Sequence, residues 1–308
     1  GGHTYRPTDI KGQELGITST DAFTLDALPS SIVIAGGGYI ALEFANIFSG
    51  LGVDTTVVYR GERVLRGFDH DIRAHVQNDM IRTGVKIICG STISEVAPLS
   101  GDRKLVTLSN SMKLEADHVM WAVGREPNTK GLGLESAGVR LNDRGAVVVD
   151  EFSRSNVDSI WAVGDVTDRI NLTPVAIREA QGFAETEFMG RPTSFDHADV
   201  ASAVFSRPAV GAVGLTEEQA RQKIGKIRVF RSAFRPMKHI LAGNEQRTLM
   251  KMIVDVKTDH VLGVHIAGPD APEIIQVAAV AVKAKLTKAQ WDETCAVHPT
   301  AAEELVLM

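Results

Sequence analysis

Three groups of residues in this chain have the types and spacing to do chemistry. The first is His298, in the run His298-Pro299-Thr300-Ala301-Ala302-Glu303-Glu304. Pro299 and Thr300 suggest a helix that starts just after the histidine and holds Glu303 in its first turn. A carboxylate five residues on could fix the tautomer of an imidazole that exchanges protons. The same spacing also fits a surface histidine beside a helix start, where acids answer the helix dipole. The second group is Gly36, Gly38 and Ala41, at G-x-G-x-x-A spacing. Gly36 permits a tight turn, Gly38 lets the backbone approach a pyrophosphate, and small Ala41 lets a helix pack on the strand before it. The third is Arg60, Arg63 and Arg66 in Arg60-Gly61-Glu62-Arg63-Val64-Leu65-Arg66. An NAD site carries Asp or Glu there to hold the ribose hydroxyls. Guanidinium forks suit a 2′-phosphate instead, which favours NADPH. The alternative is a solvated basic loop.

Other reactive residues carry less. Cys295 lies three residues before His298, so a nucleophile–base pair is conceivable, but nothing nearby marks an oxyanion site and a buried small residue is expected. Cys89 reads as core at a strand end. The remaining histidines show no metal-ligand spacing with cysteines or acids, so no metal is expected. Gly211-Ala212-Val213-Gly214 reads as a turn rather than a phosphate loop.

The elements that must position these residues follow from periodicity. Residues 1 to 30 are polar and turn-rich and read as a lead-in loop. Ile32-Val33-Ile34-Ala35 is a buried parallel strand. After the glycines, Ile40, Phe44, Ile47, Phe48 and Leu51 make a helical stripe, and a second strand runs from Thr55 to Tyr59, at βαβ distance. A helix is expected from Asp69 to Thr83, with Ile72, Val76, Met80 and Ile81 on its apolar side, then a strand at 85–88. Short strands at 93–96, 104–108 and 112–114 make a hairpin-rich insertion, and another strand spans 117–123. Further on, strands are expected at 145–149 and 160–163, the latter delivering Asp165 at its carboxyl end, followed by a helix from Pro174 to Met189. Thr216-Glu217-Glu218-Gln219 is a capping box. Strands at 227–230, 249–254 and 261–266 suit an antiparallel sheet. The helix from Glu273 to Lys285 is more apolar than a solvent-facing helix needs, which points to an interface.

At 308 residues, two or three domains are expected. A net charge of -5 argues against nucleic acid as the main partner. No apolar run reaches membrane-spanning length and no signal peptide is apparent. Two distant cysteines make no disulfide scaffold and suit a reducing cytoplasm. The chain opens Gly1-Gly2-His3, which suggests a piece of something longer.

Taken together, GGGYIALEFA, VLRGFD, WAVGREPNTKGLGL, IWAVGDVTDRINLTPVA, VFSRPAVGAVGLTE and VHPTAAEELV closely resemble the pyridine nucleotide–disulfide oxidoreductases. The motifs cover nearly the whole chain in the family's order, and the resemblance is strongest to the branch that reduces glutathione disulfide. It implies an α/β protein with a Rossmann-like NADPH-binding domain at 1–127, the remnant of a second dinucleotide-binding domain, for FAD, at 128–196, and a C-terminal α+β dimerisation domain at 197–308. It further implies that Tyr39 gates the flavin beside Ile40 and that Glu43 is the acid near the nicotinamide. Arg60 and Arg66 would take the 2′-phosphate, with Gly124 and Arg125 also at the NADPH site. Gly164, Asp165, Leu172 and Thr173 would lie at the FAD, Asp165 on its ribityl chain and Thr173 near the isoalloxazine ring. His298 and Glu303 would form the acid/base pair, supplied across a homodimer. The implied partner is a small-molecule disulfide, glutathione disulfide; relatives acting on trypanothione, mercuric ion or dihydrolipoamide are alternatives, the last disfavoured by Arg60. So is a non-catalytic NADPH-binding and dimerisation fragment.

The chain also departs from the family. A second G-x-G-x-x-G for the FAD adenylate and a redox-active C-x-x-x-x-C are both absent from these residues, so this chain alone is expected to be inactive. Where some members place an arginine for the glutathione carboxylate, the helix reads IREAQGFAETEF, with Gln181 near that place and Arg178 as a possible substitute.

Overall fold

The computed structural model describes residues 1–308. The chain divides into two compact units, one of residues 7–123 with 199–308, the other of residues 1–6 with 124–198.

In the larger unit a five-stranded parallel sheet runs in the order Ile17–Thr18, His118–Trp121, Ser31–Ala35, Asp54–Tyr59, Lys86–Cys89. Alternate residues of the central strands face opposite ways and both faces are covered, which is why they read as continuous apolar runs. Ile32, Ile34, Val57 and Met120 face the helices Tyr39–Gly50 and His70–Arg82, where Ala41, Phe44, Phe48, Ile72, Val76 and Met80 are buried. Val33, Ala35, Val58, Val119 and Trp121 face a three-stranded antiparallel sheet, Ile93–Pro98, Lys104–Leu108 and Lys113–Ala116. Ile81 of the second helix, expected on its apolar side, is exposed. Residues 1 to 30 are more ordered than a lead-in loop. Ile17–Thr18 joins the sheet edge, and Thr18 caps the short helix Ser19–Ala22 through Asp21.

The rest of this unit is a five-stranded antiparallel sheet, in the order Ser202–Val204, Val210–Gly214, Val261–Ala267, Thr248–Asp255, Ile227–Phe234. The helix Ala271–Lys283 packs Ile275, Ala278 and Val282 against it and leaves Val277 and Val280 exposed. The Gly211–Gly214 segment, expected as a turn, lies in the second strand of this sheet, between Ser202–Val204 and Val261–Ala267. A side chain at Gly211 would come within 2.6 Å of the Ile275 Cβ, so small residues there serve helix packing.

One apolar core runs through both five-stranded sheets of the larger unit, because Val204, Val210 and Ala267 pack with Phe44, Ile72 and their neighbours. A buried ion cluster joins the same parts. Lys251, 1% exposed, lies 2.8 Å from each of Asp69, Asp71 and Glu217, and Arg231 pairs with the latter two. Burial works against each carboxylate, but the Lys251 ammonium and its companions outweigh it and hold all three below their usual range, Asp71 at about 2. The three carboxylates in turn keep Lys251 charged against its own burial.

The smaller unit pairs Gly2–Thr4 with Arg125–Pro127 and contains the helix Thr173–Phe188. The strands expected at 145–149 and 160–163 are reduced to single bridges, Leu141 to Val147 and Arg154 to Trp161. At the first, the Asn142 side chain accepts from the amides of Arg144 and Ala146, so a turn takes up donors that a ladder would use. No helix of the chain is long and apolar enough to cross a membrane.

Candidate functional site

At the carboxyl edge of the parallel sheet, the three glycines divide into two kinds. Gly36 has φ +131, and a Cβ there would lie 2.2 Å from the Ala122 carbonyl; a Cβ at Gly37 would lie 2.5 Å from the Tyr59 ring. Both are required by the fold. Gly38 has an ordinary φ of -85 and nothing within 4 Å of where its Cβ would sit. No protein atom demands a glycine there. The open space lies at the N-cap of a helix of 12 residues, where free N–H groups and the dipole favour an anion. A pyrophosphate fits that cradle.

Tyr39 and Ile40 open the helix, Tyr39 43% exposed and Ile40 half-buried. One turn on, Glu43 accepts the Phe205 N–H at 2.9 Å. Burial pushes the Glu43 carboxyl up, against that hydrogen bond. Arg60 and Arg66 are exposed and no ion pair holds either, whereas Arg63 donates to His70 Nε2 at 2.8 Å. The loop they occupy is well fixed. The Leu65 N–H donates to the Gly37 carbonyl at 2.6 Å. Arg73 donates to the carbonyls of Val64 and Arg63, and Gln77 accepts the Val64 N–H. Arg73 and Gln77 escaped sequence reasoning. Their signal was polar residues on the face that helix His70–Arg82 turns toward the basic loop.

Gly124 and Arg125 belong to the smaller unit. Gly124 accepts the Tyr5 N–H, and Arg125 donates to the Gly2 carbonyl and to Thr4. In the same unit Gly164 and Asp165 begin a short 3-10 turn, Gly164–Thr167. The turn hangs on a buried carboxylate: Glu179 Oε2 accepts the Gly164 N–H at 2.7 Å, while Oε1 meets Arg169 at 2.9 Å and His197 at 2.7 Å. Glu179 was also missed, although an acid between Val175 and Gly182 on a helix's buried stripe is a legible oddity. Leu172 is the N-cap and Thr173 the exposed first residue of that helix, with Pro174 in its first turn.

His298 Nδ1 lies 3.0 Å from Glu303 Oε2. The imidazole is exposed and the carboxylate largely buried. The helix expected to begin at Pro299 starts only at Glu304, and Glu303 is its cap rather than a first-turn residue. The Thr300 hydroxyl accepts the Glu303 N–H, holding the intervening segment as a turn. Cys295 is exposed, not buried, and Cys89 is half-buried; both are free thiols. Burial pushes the Cys89 thiol up, opposed by Arg63 and Arg73. No group of histidines, cysteines and acids could hold a metal.

A glycine turn at the carboxyl edge of a parallel sheet, joined to a helix-covered antiparallel sheet, defines a dinucleotide-binding α/β protein with a second, α+β part. Residues 1–180 match the pyridine nucleotide-disulphide oxidoreductase family and residues 200–308 its dimerisation domain. The chain belongs to that family. It is 47% identical over 299 residues to a glutathione reductase of Burkholderia cepacia, covering 97% of this chain and 66% of that protein. It is 47% identical over 308 residues to the chloroplastic/mitochondrial glutathione reductase of Pisum sativum, covering 100% of this chain and 56% of that one. A trypanothione reductase of Trypanosoma congolense is 41% identical over 306 residues, 97% of this chain and 62% of that protein. The fold matches an HOCl-induced flavoprotein disulfide reductase from Escherichia coli with TM-score 0.91 at 29% identity, over 99% of this chain and 70% of that one. The chain thus spans between about half and two thirds of the length of these three curated relatives.

Proposed function

We propose that this chain is part of an NADPH-dependent, FAD-containing disulfide reductase that acts on glutathione disulfide as a homodimer, and that residues 1–308, which hold no C-x-x-x-x-C, bind NADPH but do not turn over by themselves. The observation that carries the reading is the open cradle at Gly38 together with two unpaired guanidiniums, Arg60 and Arg66, on the loop that follows the second strand. The glutathione reductases among the relatives support the disulfide substrate. The free thiols suit a reducing cytoplasm.

When bound, NADPH and FAD supply hydride and electron transfer. The redox-active cysteine pair is not among residues 1–308, and this chain would supply the following binding and proton-holding groups. Gly38 and the helix N-terminus take the pyrophosphate, Arg60 and Arg66 the 2′-phosphate. Tyr39, Ile40 and Glu43 line the approach to the nicotinamide. Glu179 holds the Gly164-Asp165 turn, and that turn would hold the flavin together with Leu172 and Thr173. Glu303 accepts the Nδ1 proton of His298 and so leaves Nε2 to exchange a proton with a substrate thiol. Exposed Val277 and Val280 on helix Ala271–Lys283 belong to the face that pairs in the homodimer. A wild-type monomer at micromolar concentration in sedimentation would contradict that pairing.

NADPH and NADH titrations of the wild type and of an Arg60→Glu, Arg66→Ala double variant test the reading. The wild type should prefer NADPH and the variant should not. Charge-assisted bonds of about 1.5–3 kcal/mol each before screening set the scale of the loss. Equal affinity of the wild type for both nucleotides would sink the proposal.

A further inference from the structure

The loop that presents Arg66 is anchored from two directions. On one side Leu65 binds the Gly37 carbonyl, inside the glycine turn. On the other, three residues beyond Arg66, both oxygens of Asp69 are engaged. Its Oδ1 accepts the Asp71 N–H at 3.0 Å and Lys251 Nζ at 2.8 Å, and its Oδ2 accepts the Glu217 N–H at 3.0 Å. Asp69 therefore caps helix His70–Arg82 while being gripped by strand Thr248–Asp255 and by the start of helix Glu217–Lys223. Lys251 is fully buried, far from the glycine turn in sequence, and its three ion-pair partners are Asp69, Asp71 and Glu217. Nothing in the chemistry assigned to the site uses it.

An exposed arginine on a loop loses conformational freedom when it grips an anion, and a loop fixed beforehand loses less. We propose that Lys251 is a positioning residue for dinucleotide selectivity: through Asp69 it holds Arg66 where a 2′-phosphate is read. The inference rests on the reading that Arg60 and Arg66 take that phosphate. A bare ribose hydroxyl gains little from Arg66, so the clamp acts on the preference for NADPH over NADH and not on dinucleotide binding in general.

The test is titration of both nucleotides, followed by intrinsic fluorescence, on the wild type, Lys251→Met, Lys251→Arg, Asp69→Asn and Arg66→Ala. Lys251→Met should raise the NADPH dissociation constant about 3- to 30-fold, the scale of coupling through a packed network, and leave that for NADH within about twofold. Lys251→Arg should recover part of the preference. Arg66→Ala added to Lys251→Met should lose little more, since the guanidinium is already misplaced. A folded Lys251→Met with the wild-type preference, or with equal losses for both nucleotides, overturns the inference. Should Lys251→Met fail to fold, Asp69→Asn decides on the same ratio. It keeps the cap oxygen and removes the charge Lys251 grips, and an unchanged preference there counts equally against the proposal. If the wild type shows no preference, or Arg66→Ala keeps it, the 2′-phosphate reading itself fails and the inference falls with it. A wild-type preference lost in Arg66→Ala but intact in the Lys251 and Asp69 variants overturns the inference alone.

Discussion

His298 stands in solvent while the carboxylate that orients it is mostly covered by protein. That division suits an acid/base group, because the reactive nitrogen must meet a substrate and its partner must not wander. Glu303 is held in turn by the Thr300 hydroxyl at its amide. If the protein reduces glutathione disulfide as proposed, His298→Ala should lower kcat for that substrate by about 10²–10⁴-fold in the active enzyme, the range of general acid–base catalysis. Glu303→Gln should keep the imidazole near its place but weaken control of its tautomer, with a smaller loss. Steady-state rates for the two variants give the comparison; wild-type turnover in His298→Ala would remove the histidine from the mechanism. Glu43 shows the opposite arrangement. Its carboxylate is half-buried, accepts one amide, from Phe205, and is pushed up by burial.

The helix Tyr39–Gly50 and the turn before it separate stability from binding. Gly38→Ser places a favoured N-cap residue in open space and should keep or raise Tm. It should also weaken dinucleotide binding, because the side chain enters the cradle. Gly36→Ser must adopt φ +131 against the Ala122 carbonyl and should destabilise by several kcal/mol. Thermal melts and NADPH titrations of the two variants should give opposite rankings; a Gly38→Ser protein with wild-type binding would show that the space is not a ligand's. The strand, turn and helix around these glycines were legible because their periodicity is local. So were the capping box at Thr216 and the apolar helix after Pro272. Illegible were elements whose partners lie far along the chain. Gly211–Gly214 looked like a turn because its small residues answer to Ile275 on a later helix. The segments at 145–149 and 160–163 have strand composition, but local side chains and turns claim their backbone groups. A helix start at Asp69 was readable, whereas the pairing of that residue with Lys251, 182 residues away, was not.

At the scale of the whole molecule, the ion cluster sets an acid limit. Asp71 faces Lys251 and Arg231, with Asp69, Glu217 and the buried His265 around the same ammonium. Its folded value of about 2 lies below the ordinary 3.8. The stabilisation it gives is therefore complete above about pH 4 and is lost as pH falls through 2, on the order of 2 kcal/mol in all. Denaturant melts at pH 5 and near pH 2.5 should show the gap between wild type and Asp71→Asn narrowing as acid is added; a constant gap would mean that Lys251 and Arg231 do not hold the carboxylate. The shared core has a different consequence, for recombination. Val204, Val210 and Ala267 pack among nucleotide-side residues, and Lys251 serves acids on the far side of the chain. A chimera that grafts residues 7–123 onto a C-terminal part with no lysine at the place of Lys251 would strand buried charge, at roughly 3–5 kcal/mol for a broken buried pair. The portable cassette of this fold is the nucleotide sheet together with the antiparallel sheet behind it, and breeding new cofactor preferences by exchanging the first without the second would discard part of what orders the loop.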